Sequence, residues 1–281
     1  MHVLGIYRER QFSPGKVDAD AAILDAVLDQ LRGNGLETAA VEPSRPGAWP
    51  GQAVDLVLAM CQGAEPLRRL SAFEQAGAIA INSALGIRNC YRDLLNPGLA
   101  RAGVPIPAGT LVETAAPLQP GSMLGLELSL PLYVKRGDLH ALGADDVQRV
   151  ETLDGLRRAL GGFAARGVGH AYLQQEIEGV LVKFYGVSGG EYFTVLPERG
   201  ELEDTVRRQI AGAASAAAAA IGLEAWGGDA VVGRDGRFWI IDFNDWPNFA
   251  RVREPAAHAI ARRALALLQR ARLSASRAGL P

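Results

Sequence analysis

The chain has 281 residues, 48% of them hydrophobic, with 29 basic and 31 acidic side chains and a formal net charge of −2. This balance excludes a disordered polypeptide and a broad surface for nucleic acid or anionic membrane, and leaves room for a local basic pocket. Two cysteines, Cys61 and Cys90, lie far apart and form no C-x-x-C pair, so they suggest neither a disulfide framework nor a zinc site and fit reduced thiols in the cytosol.

Arg8, Glu9 and Arg10 interrupt the first apolar run, so no secretory leader is expected. No stretch approaches the roughly 18 apolar residues of a membrane span. His2–Tyr7 reads as a strand, and Asp18–Leu31 follows with apolar positions at helical spacing. Leu36–Val41 and Val54–Met60 read as buried strands, Glu65–Ala76 as a helix and Ala78–Ile81 as a strand. The alternation predicts a small parallel α/β domain over residues 1–84. Its first strand is not followed by G-x-G-x-x-G, so a dinucleotide site is not expected there.

A helix is expected over Asn89–Ala102 despite Pro97, stopped by Gly103, Pro105 and Pro107. Leu132–Lys135 is then a strand, Leu153–Arg166 a helix, and Ala171–Glu176 and Val180–Val187 are strands on either side of Glu178-Gly179. Arg207–Ile221 reads as a helix closed by Gly222, its alanine-rich part suited to close packing rather than to a membrane. Asp229–Val232 and Phe238–Asn244 are strands flanking Asp235-Gly236. The helix over Pro255–Leu273 has an apolar and a basic face and suits a homodimer interface.

Asp-Gly between two β-like runs signals a hairpin with a two-residue type I′ turn. In that register Asp229 faces Asp242 directly, and Asn244 points the same way two residues on. Facing carboxylates repel, and a divalent cation bound by hard oxygens offsets the repulsion. Mg²⁺ suits the set because it shares its shell with phosphate and water. The competing readings are a solvent-exposed pair, or a three-residue loop that shifts the register and separates the two.

In this order and spacing the motifs resemble the ATP-grasp superfamily. They are Asn82, Asn89-Cys90-Tyr91-Arg92-Asp93, Ala102-Gly103-Val104-Pro105-Ile106-Pro107, Leu132-Tyr133-Val134-Lys135, Leu173 to Gly179, and Asp229 with Asp242-Phe243-Asn244. The resemblance spans residues 82–253. It implies an α/β (α+β) architecture with an ATP-grasp domain over residues 85–281, its lid about 107–176 and its metal-binding subdomain about 177–281. It implies ATP and one or two Mg²⁺ ions, replaceable by Mn²⁺, as cofactors. Asp229, Asp242 and Asn244 would bind the metal, and Gln175, Glu176 and Ile177 would form the hinge that reads adenine. Lys135 would hold phosphate, and Arg92 would stand where the superfamily usually has its first phosphate lysine, an exchange that keeps a phosphate donor but changes its geometry.

The tract after Lys135 has one glycine where many members are rich in glycine and serine. His140, five residues after Lys135, resembles a histidine of the inositol-phosphate kinase branch that approaches phosphate, and the Leu181–Val187 and Asp242–Pro247 tracts resemble that branch as well. Alternation puts Lys183 on the same face as Leu181 and Tyr185, where its ammonium could meet a γ-phosphate or an anionic acceptor. Arg251 and Arg253 would clamp an anionic small-molecule substrate, whereas His2, His170 and His258 are assigned to structure. The implied function is phosphoryl transfer from ATP. It is read first as a carboxylate-amine ligase, with a polyol or inositol-phosphate-like kinase and a non-catalytic ATP sensor as alternatives. Only Lys16, Lys135 and Lys183 among the 29 basic residues are lysines, and two of them fall in these tracts.

Overall fold

The computed structural model describes residues 1–45, 47, 49–116 and 128–277. Three four-stranded sheets organise them. The first contains β1 (His2–Ile6), β2 (Glu37–Val41), β3 (Leu56–Ala59) and β4 (Ile79–Ile81), all parallel in the order β2-β1-β3-β4. Its central strands β1 and β3 are short continuous apolar runs because both faces are covered, whereas the edge strand β2 is largely exposed. Val3, Leu56 and Leu58 face α1 (Val17–Gly33) and α7 (Arg253–Arg277), while Leu4, Ile6 and Val57 face Leu67 and Leu70 of α2 (Ala64–Gln75).

The helix expected over Asn89–Ala102 is α4 (Arg92–Arg101), starting three residues later than read, and a separate short helix, α3 (Ala84–Asn89), precedes it. Tyr91 between them is extended, and its hydroxyl donates to the carbonyl of Gln62, which anchors the break to the first sheet. Pro97 is carried inside α4. The second sheet, β5 (Gly109–Glu113), β6 (Leu132–Arg136), β7 (Val147–Val150) and β8 (His170–Gln175), is antiparallel in the order β5-β8-β6-β7 and packs one face on α5 (Leu153–Ala165). β5 and β7 went unread in the sequence because each is half exposed and carries no long apolar run.

The third sheet, β9 (Val180–Val187), β10 (Tyr192–Pro197), β11 (Ala225–Val232) and β12 (Phe238–Asp245), is antiparallel in the order β10-β9-β11-β12. Val182, Phe184, Ala230, Val232, Ile240 and Phe243 bury one face against α4 and α6 (Asp204–Ile221). Ala214, Ala217 and Ala218 let α6 approach closely, so the alanine-rich segment is a packed helix. β11 starts four residues before the sequence signal, because Gly227 and Gly228 hide it; a Cβ on Gly228 would lie 2.3 Å from the Asp242 carbonyl oxygen. β8 and β9 flank Glu178-Gly179 but belong to different sheets, so that link is a connector between layers.

The apolar face of α7 is spent inside the chain: Ala257, Ile260, Ala261, Ala264 and Leu268 pack with Ile23, Leu24, Val27 and Leu31 of α1. No described helix is long and apolar enough to cross a membrane. Asn82 ties the first sheet to the third. Fully buried, it donates from Nδ2 to the Ala225 carbonyl at 2.7 Å and accepts at Oδ1 from the Glu224 and Ala225 amides at 2.7 and 2.9 Å. Asn82→Ala leaves the Glu224 and Ala225 amides without partners, while the Ala225 carbonyl keeps the Trp246 amide at 3.0 Å, so a loss of about 3 kcal/mol is expected in urea unfolding.

Candidate functional site

The face of the third sheet turned away from α6 carries the polar residues. Asp229 lies directly opposite Asp242, as the sequence register predicts, but the route differs from the expected one. The connection is not a two-residue type I′ turn. The Gly233 amide bonds to the Arg237 carbonyl at 2.8 Å around a three-residue loop, with Gly236 left-handed at φ 78. That loop shifts the register by one, so Val232 pairs with Phe238 and Ala230 with Ile240. A β-bulge then inserts Ile241 and restores the shift before Asp242. The bulge has a packing cause. Ile240 and Phe243 both sit in the core against α6, and an unbulged strand could not send residues three apart to one face.

The bulge also aims the Ile241 carbonyl across to the second sheet, where it accepts from Lys135 Nζ at 2.8 Å and Gln174 Nε2 at 3.4 Å. Lys135 is buried at 6% exposure, and burial lowers its ammonium pKa to about 8 against the pull of Asp242 and Asp229. Arg92, also buried, donates to the Arg136 and Leu139 carbonyls at 2.8 and 3.3 Å and stands 3.5 Å from Asp242 Oδ1. It thus joins the loop after β6 to β12.

Burial pushes the Asp242 carboxyl up, but Arg92, Lys135, His140 and the Asn244 amide outweigh it and hold its pKa below the usual range. Asn244 Nδ2 lies 3.5 Å from Asp242 Oδ2. Burial raises the Asp229 pKa, moderated by Lys183, whose Nζ donates to Asp229 Oδ1 at 2.7 Å. Lys183 loses some charge preference to burial and regains more from Asp229, so its pKa is raised. Two carboxylates and an amide on one face are a hard-oxygen donor set that fits Mg²⁺, and the cations Lys183 and Arg92 lie against its two carboxylates.

Between the second and third sheets lies a cavity of about 1170 Å³ lined by Tyr133, Lys135, Gln174, Ile177, Trp239 and Ile241, with Gln175 and Glu176 at its edge. Its volume accommodates a nucleotide-sized molecule. The hinge side chains have other duties. Glu176 accepts from both Arg149 Nε and Nη2, at 2.7 and 2.9 Å, and Gln175 Oε1 accepts from the Ser129 amide at 2.8 Å. Ile177 faces the cavity.

His140 turns toward Asp245, its Nε2 3.4 Å from Oδ1, rather than standing free in the loop. Arg251 is exposed, and its charge, with that of Lys183, counters the rise that burial imposes on the Tyr185 hydroxyl. Arg253 opens α7, with a buried Nε that has no hydrogen-bond partner among the described residues. Lys183, Tyr185, Asp229 and Arg251 therefore form one electrostatic neighbourhood beside the carboxylate pair.

Sequence reasoning missed a second layer from the first sheet. Arg8 donates to the Trp246 carbonyl at 2.8 Å and the Met60 carbonyl at 3.2 Å, and lies 3.5 Å from Asp20 and 3.7 Å from Asp245. Glu9 accepts from the Gln62 and Gly63 amides at the start of α2, at 3.0 and 2.8 Å, and Gln62 Nε2 donates to Asp245 Oδ1 at 3.0 Å. The one sequence hint was a charged pair directly after a buried strand. Beyond β12, the fully buried Trp246 and Phe249 take φ of 30 and 50, a strained turn that delivers the chain to Arg251 and α7.

No protein-family model matches the chain, and no curated protein sequence does either. Solved structures do. D-alanine–D-alanine ligase from Bacillus anthracis complexed with ATP aligns with a TM-score of 0.73 at 14% identity, over 96% of this chain and 99% of that one. The VanG D-Ala:D-Ser ligase from Enterococcus faecalis aligns at 0.72 and 14%, over 95% and 99%. The D-alanine–D-alanine ligase from Coxiella burnetii aligns at 0.74 and 12%, over 96% of each chain. The architecture is the ATP-grasp fold, in agreement with the sequence expectation.

Proposed function

We propose that this chain, built on the ATP-grasp fold, is an ATP- and Mg²⁺-dependent ligase that activates a small-molecule carboxylate for attack by an amine. The observation that carries the reading is the pair Asp229 and Asp242 with Asn244, adjoining the cavity whose near wall holds Lys135. Hard oxygens on one side and a buried ammonium on the other match a bound nucleoside triphosphate with its cation. Mg²⁺, when bound, would neutralise charge on the phosphate oxygens, with Asp229, Asp242 and Asn244 as its protein ligands.

In the reaction a carboxylate oxygen of the substrate attacks the γ-phosphorus and ADP departs. The amine then attacks the acyl carbon and inorganic phosphate leaves, so each turnover yields ADP, phosphate and one amide bond. Lys135 would hold phosphate oxygens from the second sheet, while Lys183 and Arg251 supply positive charge where an anionic acceptor would enter. Arg92 and His140 support the loop after β6, and Gln175, Glu176 and Ile177 supply the cavity edge for the base. The ligase reading over the kinase reading is supported by the structural neighbours, which are D-Ala–D-Ala and D-Ala:D-Ser ligases.

The test is incubation of the protein with Mg²⁺, ATP and a pool of amino acids and polyols, followed by product mass analysis. A condensation product with ADP supports the ligase. A product heavier by one phosphate would make the protein a kinase, and Mg²⁺-dependent ATP binding without turnover across the pool would make it a sensor.

A further inference from the structure

We propose that Cys90, His140 and Asp245 form a site for a thiophilic divalent cation, zinc by their ligand chemistry, separate from the hard-oxygen set of Asp229, Asp242 and Asn244. One ligand atom from each of the three residues lies within 4.8 Å of the other two. Each comes from a different part of the molecule: Cys90 from the break between α3 and α4, His140 from the loop after β6, and Asp245 from the end of β12.

Tetrahedral zinc holds nitrogen and oxygen at about 2.0 Å and sulfur at about 2.3 Å, so its ligand atoms stand about 3.3 to 3.8 Å apart. His140 Nε2 and Asp245 Oδ1, 3.4 Å apart, already have that spacing. The remaining contraction is about 1 Å, within the reach of side-chain rotation. Hydrogen bonding at the same two side chains points to a missing partner. His140 Nε2 and Asp245 Oδ2 are buried, and neither has a hydrogen bond among the described residues. A buried imidazole nitrogen with no hydrogen bond, beside a carboxylate oxygen met only by Arg8 at 3.7 Å, is costly unless something joins them.

Cys90 and Asp245 are almost wholly buried and His140 has a side-chain exposure of 14%, so the three ligand groups are largely shielded from solvent. The ligand carboxylate is oriented by groups that would form the outer layer of such a site: Gln62 Nε2 holds Oδ1 at 3.0 Å, and Arg8 lies 3.7 Å from Oδ2. Arg8 also faces Asp20 at 3.5 Å, which shares its charge and lessens its repulsion of a cation. On binding, the Cys90 S–H bond breaks, its proton passes to solvent and a zinc–sulfur bond forms, with no change of oxidation state. No local sequence pattern marks this set, because its members are 50 and 105 residues apart.

A bound ion would pin the loop carrying His140 to β12. The binding test uses the full chain without ATP, in excess Mg²⁺ to occupy the hard-oxygen site, so its outcome is independent of the proposed reaction. Titration with Zn²⁺ against a chromogenic chelator should give one tight site per chain, and Co²⁺ should develop a thiolate charge-transfer band. Cys90→Ser should abolish the band and weaken zinc at least tenfold, while Cys61→Ser should retain both. His140→Asn at the half-buried position serves as a second variant and should also weaken zinc at least tenfold. Failure of the wild-type chain to bind zinc in excess Mg²⁺, or an unchanged band and affinity in both Cys90→Ser and His140→Asn, would overturn the proposal.

Discussion

Asp242→Asn is expected to reduce ATP-dependent turnover about a thousandfold while leaving the chain folded, a magnitude in the range of removing one charged group from a transition-state electrostatic site. The substitution keeps the volume and the position opposite Asp229. It removes the charge that faces Arg92 at 3.5 Å and that supports the Lys135 ammonium. Two buried cations then lose their common counter-charge, and the donor set loses one of its two carboxylates. The Asp242 carboxyl is held below the usual range, so its contribution to stability is present at neutral pH and is lost only as pH falls through its lowered folded value. The asparagine variant should therefore lose its activity at pH 7 and show a weaker dependence of stability on acid. ADP release and thermal melting across pH 3 to 8 measure both. Wild-type turnover in the variant would remove Asp242 from the site.

Much of this arrangement was legible in the sequence, for reasons that differ element by element. The central parallel strands of the first sheet, β1 and β3, announced themselves because burial on both faces leaves continuous apolar runs. The facing aspartates were legible through Asp235-Gly236, yet two local departures cancel to give that answer. The three-residue loop shifts the register, and the bulge at Ile241, forced by Ile240 and Phe243 sharing the core, shifts it back. Neither departure is visible in composition or in the turn dipeptide alone. Strands β5 and β7, half exposed and on either side of the second sheet, left no apolar signature. The contacts of Arg8, Glu9 and Gln62 with the end of β12 span up to 238 residues of sequence, and no local pattern encodes such a pairing. What the sequence did mark was rarity. In a chain with 26 arginines, lysine persists at 135 and 183, and both meet the site, one on the bulged carbonyl and one on Asp229.

Lys135 gives the sharpest separation of function from stability. Burial lowers its pKa to about 8, so holding it charged at neutral pH costs the ligand-free protein about 3 kcal/mol relative to the unfolded chain. Lys135→Met removes that cost and gives up one hydrogen bond to the Ile241 carbonyl, worth about 1 kcal/mol. The variant is therefore expected to be more stable without ligand, by about 2 kcal/mol, and to bind ATP between ten- and about a hundredfold more weakly, the worth of one charged phosphate contact. The pH dependence has a definite sign. Between about pH 8 and 10.5 the unfolded chain holds a proton on this lysine that the folded chain has released. Wild-type stability should then rise with pH across that window, and the methionine variant should show no such rise. ATP affinity should move the opposite way. Phosphate selects the ammonium, so binding near pH 8 should take up a proton, and affinity should fall as pH climbs above 8. Calorimetry in buffers of different ionisation enthalpy reads the proton uptake directly. Equal uptake in wild type and Lys135→Met would show that another group, not this lysine, meets the phosphates.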